Sequence, residues 1–118
     1  MAVEKPITNL SLAISEKDFS GQVEDLLKLF GWHWTHFRPA FSSKGYRTPI
    51  KGHKGFPDYC AVRNSTCLFI ELKSEKGKLI QEQVEWIDLL QQVAKVSLGV
   101  MVFVWRPSQI DDIVGILK

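Results

Sequence analysis

Apolar residues recur at Phe19, Val23, Leu26, Leu27 and Phe30, the 3.6-residue stripe of an amphipathic helix. Ser15-Glu16-Lys17-Asp18 opens that helix with a side-chain acceptor and, three residues on, an acid, the pattern of a capping box. Gly31 supplies its C-terminal stop. Trp32 to Phe37 is aromatic-rich and β-prone, a first strand. Residues 38–56 mix Pro, Gly, Ser and Lys and read as a long loop. Loops above about 12–15 residues in a small domain are usually functional or disordered. Asp58 to Arg63 and Cys67 to Lys73 then predict two strands, joined by the turn Asn64-Ser65-Thr66. After the polar link Ser74 to Lys78, Ile80, Val84, Ile87 and Ala94 mark one face of a second helix running to about Val96. Val100 to Trp105 is a continuous apolar run, suited to a strand buried on both faces. Arg106-Pro107 breaks it. Ser108 and Asp111 cap a last helix, with Ile110, Ile113, Val114 and Leu117 turned inward.

This order, α-β-β-β-α-β-α, predicts an α/β sandwich around a central mixed sheet. Residues 1–14 read as a short, mobile N-terminal leader, and residues 15–118 as one domain without internal repeats. The chain has 118 residues, 45% apolar and 24% charged, values of an ordinary soluble globular domain. Disorder, collagen, coiled coil and a disulfide-dense miniprotein are thereby set aside. The longest apolar run falls far short of the ~20 residues a membrane span needs, and no secretory signal follows Met1. The expected setting is cytoplasmic. Cys60 and Cys67 match no CxxC or zinc spacing. They read as buried free thiols, with a disulfide across the hairpin as the alternative.

The net charge of +2 is unevenly placed. Between Leu26 and Pro57 there are six basic residues (Lys28, Arg38, Lys44, Arg47, Lys51 and Lys54) and no acid. The rest of the chain therefore carries nine basic and thirteen acidic residues, −4 against +6. All three histidines, His33, His36 and His53, lie in the same window. Lys and Arg gathered on one surface neutralise phosphates and release counterions, so a nucleic-acid partner is expected. A solvated basic loop without a partner is the plainer alternative.

Three features carry candidate chemistry. Gly55-Phe56-Pro57-Asp58 brings an acid to the mouth of a strand, where a proline without a donor is tolerated. Glu71-Leu72-Lys73 ends the next strand, with Glu71 and Lys73 on one face, ~6.6 Å apart along it. The hairpin lets Asp58 and Glu71 approach each other. Two hard carboxylates with the Leu72 carbonyl suit Mg²⁺ or Mn²⁺ rather than zinc. Two helical polar residues complete the set. Glu24 falls at the border of the first apolar stripe while Asp25 points nearly opposite, and Gln83 lies within the second stripe. A glutamine on a buried face needs polar partners. Taken singly, each has an ordinary reading: a turn aspartate, a solvated E-x-K pair, an exposed helix acid, a glutamine bonded to backbone.

In this order, Glu24, Pro57-Asp58, Glu71-Leu72-Lys73 and Gln83 resemble the PD-(D/E)xK nuclease pattern. More narrowly they resemble the VRR-Nuc branch and its small stand-alone bacteriophage members. His36 to Ala40, Arg47-Thr48-Pro49, Gly55 to Asp58, Glu71 to Gly77 and Val104 to Pro107 are similar to that group. The likeness covers residues 16–118 and departs from it at Leu79 to Gln83, where the usual Ser-Pro helix start is missing.

The resemblance implies a restriction-endonuclease-like fold and a metal-dependent DNA endonuclease, with Mg²⁺ as cofactor and Mn²⁺ as a substitute. Asp58, Glu71 and the Leu72 carbonyl would hold the cation, and Glu24 would assist through a water or a second metal. Lys73 would orient the attacking water or stabilise transition-state oxygens, and Gln83 would position Lys73 or the phosphate. Arg38, Lys44, Arg47, Lys51 and Lys54 would grip the DNA backbone, with His36 and His53 as further phosphate contacts. Small members of this kind are associated with four-way Holliday junctions. The implied partner is thus branched DNA, and a homodimer would supply two symmetric cuts. A phage-encoded member would act in the bacterial cytoplasm. Other readings stay open: a nuclease without junction selectivity, a catalytically silent DNA-binding module, or an interaction domain whose basic loop meets an acidic protein.

Overall fold

The computed structural model describes residues 7–37, 40–42, 45–47 and 51–118. The first long helix, α2 (Glu16–Leu29), follows a short α1 (Asn9–Ala13) that lies within the segment read as a leader. Thr8 and Ser11 bond each other's backbone N–H groups at 3.0–3.1 Å to cap α1. The Ser15 hydroxyl accepts from the Asp18 N–H at 3.0 Å, starting α2 where its side-chain acceptor predicts. At the other end Gly31 adopts φ +76°. That turn lets Gly31 and Trp32 donate to the Lys28 and Leu27 carbonyls, the paired closure of a Schellman motif.

Strands β1 (His33–His36), β4 (Tyr59–Arg63), β5 (Thr66–Leu72) and β6 (Val100–Trp105) form one mixed sheet in the order β1-β4-β5-β6. The β4–β5 hairpin closes through Asn64-Ser65 alone, both at positive φ, the two-residue turn that matches strand twist. Helix α3 (Gln81–Lys95) is the crossover between β5 and β6, which run parallel. Helix α4 (Ile110–Leu117) closes the chain.

Alternation sorts the side chains. Tyr59, Ala61, Leu68, Ile70 and Leu72 face α2 and α4 and join Phe19, Val23, Leu27, Ile113 and Leu117 in the core. Each such burial contributes roughly 1.5–3 kcal/mol. Cys60, Phe69 and Glu71 fall on the opposite face, beneath α3.

Several expectations need correcting. The segment read as one long loop contains a two-stranded sheet, β2 (Ala40–Ser42) with β3 (Gly45–Arg47). Strand β6 is not buried on both faces as its apolar run predicts: Met101 is 42% exposed, and the strand lies at the edge of the described sheet. Ile80 is also exposed, because it precedes the first turn of α3. Ser108 does not cap α4. Its hydroxyl and N–H both donate to Glu75, and a 3-10 turn, Pro107–Gln109, leads into the helix instead. Cys60 and Cys67 are free and half-buried, with sulfurs 3.9 Å apart. Burial first, and then Cys67, pushes the Cys60 thiol up to about 11. No helix among the described residues is long and apolar enough to cross a membrane.

Arg63 ties the far end of the sandwich together. Its guanidinium donates to the carbonyls of Phe30 and Leu117 at 2.8 Å and of Lys118 at 3.3 Å. A cation thus meets the C-terminal ends of α2 and α4, where helix dipoles favour it. The Leu117 carbonyl keeps a second donor in Trp32 Nε1 while the Phe30 carbonyl loses its guanidinium partner, so Arg63→Ala should lower stability by about 1–2 kcal/mol in urea unfolding. A loss within error would show that these bonds are replaced by water at no cost.

Candidate active site

The site is built at one end of the sheet, where β1 and β5 finish and β4 begins. Gly55 turns there at φ +93°, and any Cβ on it would stand 2.6 Å from the Glu82 carbonyl carbon of α3. Only glycine permits that approach. Phe56 then packs edge-on against Phe37, Phe69 and Trp86, at centroid distances of 5.5, 5.7 and 4.9 Å. Pro57 is buried. The backbone entering β4 is thereby pinned against α3, which fixes where Asp58 stands.

The hairpin register does the rest. Tyr59 lies opposite Ile70, so Asp58, one residue before, and Glu71, one residue after, meet on the α3 face. The Asp58 carboxyl lies close enough to Glu71 to raise its pKa. The Leu72 N–H lies 3.4 Å from Asp58 Oδ2 and donates to it. In an extended strand a residue's N–H and C=O leave on the same side, so the Leu72 carbonyl is turned toward Asp58 as well. Gln83 spans the approach from α3. Its Nε2 donates to Glu71 Oε1 at 3.2 Å, while its Oε1 accepts from the Ile80 N–H at 3.0 Å. One glutamine thus starts a helix that lacks a capping side chain and holds a carboxylate of the pair.

Glu71 is 1% exposed. Burial first, and the adjoining Asp58 second, push its carboxyl up to about 9, against a smaller lowering by Lys73. Two acids so close cannot both ionise cheaply in a buried place. An oxygen-only donor set that concentrates negative charge in this way fits a hard divalent cation. Asp58, Glu71 and the Leu72 carbonyl are the groups placed to hold one.

Glu24 is engaged by two other side chains. Its Oε2 accepts the Tyr59 hydroxyl and lies 3.4 Å from His36 Nδ1, on the face of the sheet covered by α2. Among the described residues, no group of three or more His, Cys, Asp or Glu side chains gathers around one point. Gln83 contacts Glu71, not Lys73. Tyr59 belongs to the core, fully buried, yet its phenol anchors Glu24 and its proton is held more tightly than usual by burial and then by Glu24.

Of the basic residues, Arg38 and Lys44 lie outside the described residues, and Arg47 ends β3. Lys51 is exposed. Lys54 pairs with Glu82 at 3.7 Å, and His53 accepts from Trp86 Nε1 through its carbonyl at 3.3 Å. Both border a cleft of about 390 Å³ against α3.

The sequence reading missed one set of residues entirely. The Arg106 guanidinium donates to the carbonyls of Ser74, Glu75 and Gly77 at 2.7, 3.2 and 2.7 Å. Buried Glu75 accepts from Ser108. The chain leaving Lys73 is clamped to the end of β6 by these bonds, and nothing local in the sequence announces a contact across thirty residues.

A family model described as the VRR-NUC domain matches residues 42–107. The match takes in Asp58, Glu71, Lys73 and Gln83 and leaves Glu24, on α2, outside it. No curated protein and no solved structure matches the chain.

The acid pair makes stability depend on pH. The unfolded chain loses the Glu71 proton near 4.5 and the folded chain keeps it to about 9. The folded state therefore binds the extra proton between those values, and stability of the cation-free protein falls as pH rises through that window. With chelator present, thermal unfolding from about pH 5 to about pH 9 should show this fall, and Glu71→Gln should flatten it. An equal fall in the variant would place its origin elsewhere.

Proposed function

The chain belongs to the VRR-NUC domain family, a nuclease family, and from that premise we propose that it is a metal-dependent DNA endonuclease acting on four-way junctions as a homodimer. The observation that carries the metal requirement is the closeness of Asp58 to buried Glu71. Phosphodiester hydrolysis needs an activated water, a hold on the scissile phosphate and neutralisation of the charge that develops. Mg²⁺ held by Asp58, Glu71 and the Leu72 carbonyl, or Mn²⁺ in its place, would supply Lewis-acid neutralisation and a more acidic water.

The remaining work falls to side chains. Lys73 follows Glu71 on the same face of the chain and is close enough for its charge to lower the Glu71 pKa. Its ammonium orients the attacking water or meets the phosphate oxygens that gain charge. Gln83, tied to the start of α3, fixes the Glu71 carboxylate so that little reorganisation remains when substrate arrives. Lys51 and the basic stretch around it grip the DNA backbone, positioning the duplex without reading its sequence. The mixed four-stranded sheet flanked by helices is compatible with this reading. Junction selectivity rests on the likeness to small stand-alone members, and a two-fold dimer supplies the two symmetric cuts that resolution requires.

The test is cleavage of an end-labelled four-way junction beside a linear duplex of matched sequence, with Mg²⁺ or with chelator. Mg²⁺-dependent paired nicks confined to the junction are expected. Asp58→Asn should abolish them while DNA stays bound. Lys73→Ala should slow cleavage ~10²–10³-fold and leave Mn²⁺ binding in place. Cutting of both substrates would remove junction selectivity. DNA binding without cleavage under either cation would overturn the nuclease and leave a silent binding module.

A further inference from the structure

A second recess lies beside the acid pair, along α3. Glu82, Glu85, Trp86 and Leu89 recur at i, i+3, i+4 and i+7, the spacing of neighbours on one side of a helix. Opposite them runs the segment that carries His53 and Lys54, and the two enclose the cleft of about 390 Å³. One wall is aromatic and held in place. Trp86 Nε1 donates to the His53 carbonyl at 3.3 Å, and the indole packs against Phe56 with centroids 4.9 Å apart and planes at 82°. The rest of the lining is mixed. Glu82 pairs with Lys54 at 3.7 Å, Glu85 is exposed beside the indole, and Leu89 is 57% exposed.

This lining selects what can enter. Carboxylates repel a phosphate, so the recess is not one more grip on the DNA backbone. They accept N–H groups, and an indole beside a leucine suits a flat ring. A nucleobase offers both, a π face for stacking and, in adenine and cytosine, an exocyclic amino group where thymine presents a carbonyl. The volume falls within the ~300–1,000 Å³ of small-ligand sites. The place is also right. Gln83, whose Nε2 holds Glu71, is three residues from Trp86, ~4.5 Å along the helix axis. A strand with one phosphate at the acid pair brings a base one or two nucleotides on, ~3.4 Å each, to the recess.

We propose that this recess receives a single unpaired nucleobase of the bound DNA, with Trp86 stacking on the base and Glu85 accepting from its amino group. This deepens the nuclease reading and rests on it. A base in regular duplex must give up stacking and pairing to enter, whereas a base at a branch point or bulge has already lost much of both. The recess thus favours distorted or branched DNA over uniform duplex.

The test is fluorescence anisotropy with chelator present, so that no cleavage intervenes. The labelled DNAs share one sequence: a fully paired duplex, the same duplex with one extra unpaired cytosine, and versions with thymine or an abasic residue in that place. The unaltered protein should bind the cytosine bulge about tenfold more tightly than the abasic one, and more tightly than the thymine bulge. Trp86→Ala should remove the tenfold ratio and Trp86→Phe should retain most of it, each variant's affinity for the paired duplex serving as its reference. Glu85→Ala, at an exposed helical position where the fold tolerates it, should erase the preference for cytosine over thymine. Equal affinity of the unaltered protein for cytosine and abasic bulges would overturn the proposal. So would a loss in Trp86→Ala that is the same for every DNA, the mark of a structural role. A cytosine preference that survives in Glu85→Ala would overturn the part given to Glu85. Failure of the unaltered protein to bind any of these DNAs would instead overturn the nuclease reading on which the proposal stands.

Discussion

Two carboxylates held close together beneath a helix are the constraint around which this small protein is arranged. Asp58 and Glu71 repel each other once both are ionised, and Glu71 is almost without solvent to relieve it. Such a pair persists only where the backbone leaves it no alternative. The β4–β5 register does that. Tyr59 opposite Ile70 puts an aromatic and an aliphatic side chain into the core and turns the neighbouring acids to the other face. A slip of one residue would carry Glu71 into the core and Ile70 out of it. The hydrophobic burial on one face of the sheet thus holds together what electrostatics on the other face would separate.

Other parts of the molecule reinforce the same end. Gly55 and Phe56 press the approach to β4 against α3, and Gln83 reaches back from α3 to Glu71. Arg106 and Glu75 clamp the exit from β5 to the end of β6. Two stretches that carry the family likeness, Glu71 to Gly77 and Val104 to Pro107, are therefore one structural unit. The second holds the carbonyls of the first, so that Lys73 leaves the strand at a fixed place beside the acids.

Much of this was legible in the chain, for reasons that differ by element. The stripe from Phe19 to Phe30, the Ser15 cap and the Gly31 stop act within a few residues, so the sequence places α2 well. The adjacency of Asp58 and Glu71 follows from a short hairpin and strict alternation, and it too could be read. The place of β6 at the edge of the described sheet could not be, because an apolar run has the same pattern whether a further strand lies beside it or not. The partners of Ser108, Arg106 and Tyr59 lie about thirty residues away, and local pattern is silent about such contacts. Glu24 shows the limit most clearly. Its place at the border of the helix stripe was legible, whereas its engagement with His36 and Tyr59 depends on how α2 settles on the sheet.

Calorimetric titration of Mn²⁺ into the cation-free protein, beside Asp58→Asn, tests the central claim most directly. If Asp58 and Glu71 form a cation site, the unaltered protein binds Mn²⁺ and the variant loses most of that affinity. Equal affinity in both, or no binding by either, would contradict the account and leave the acid pair without its purpose.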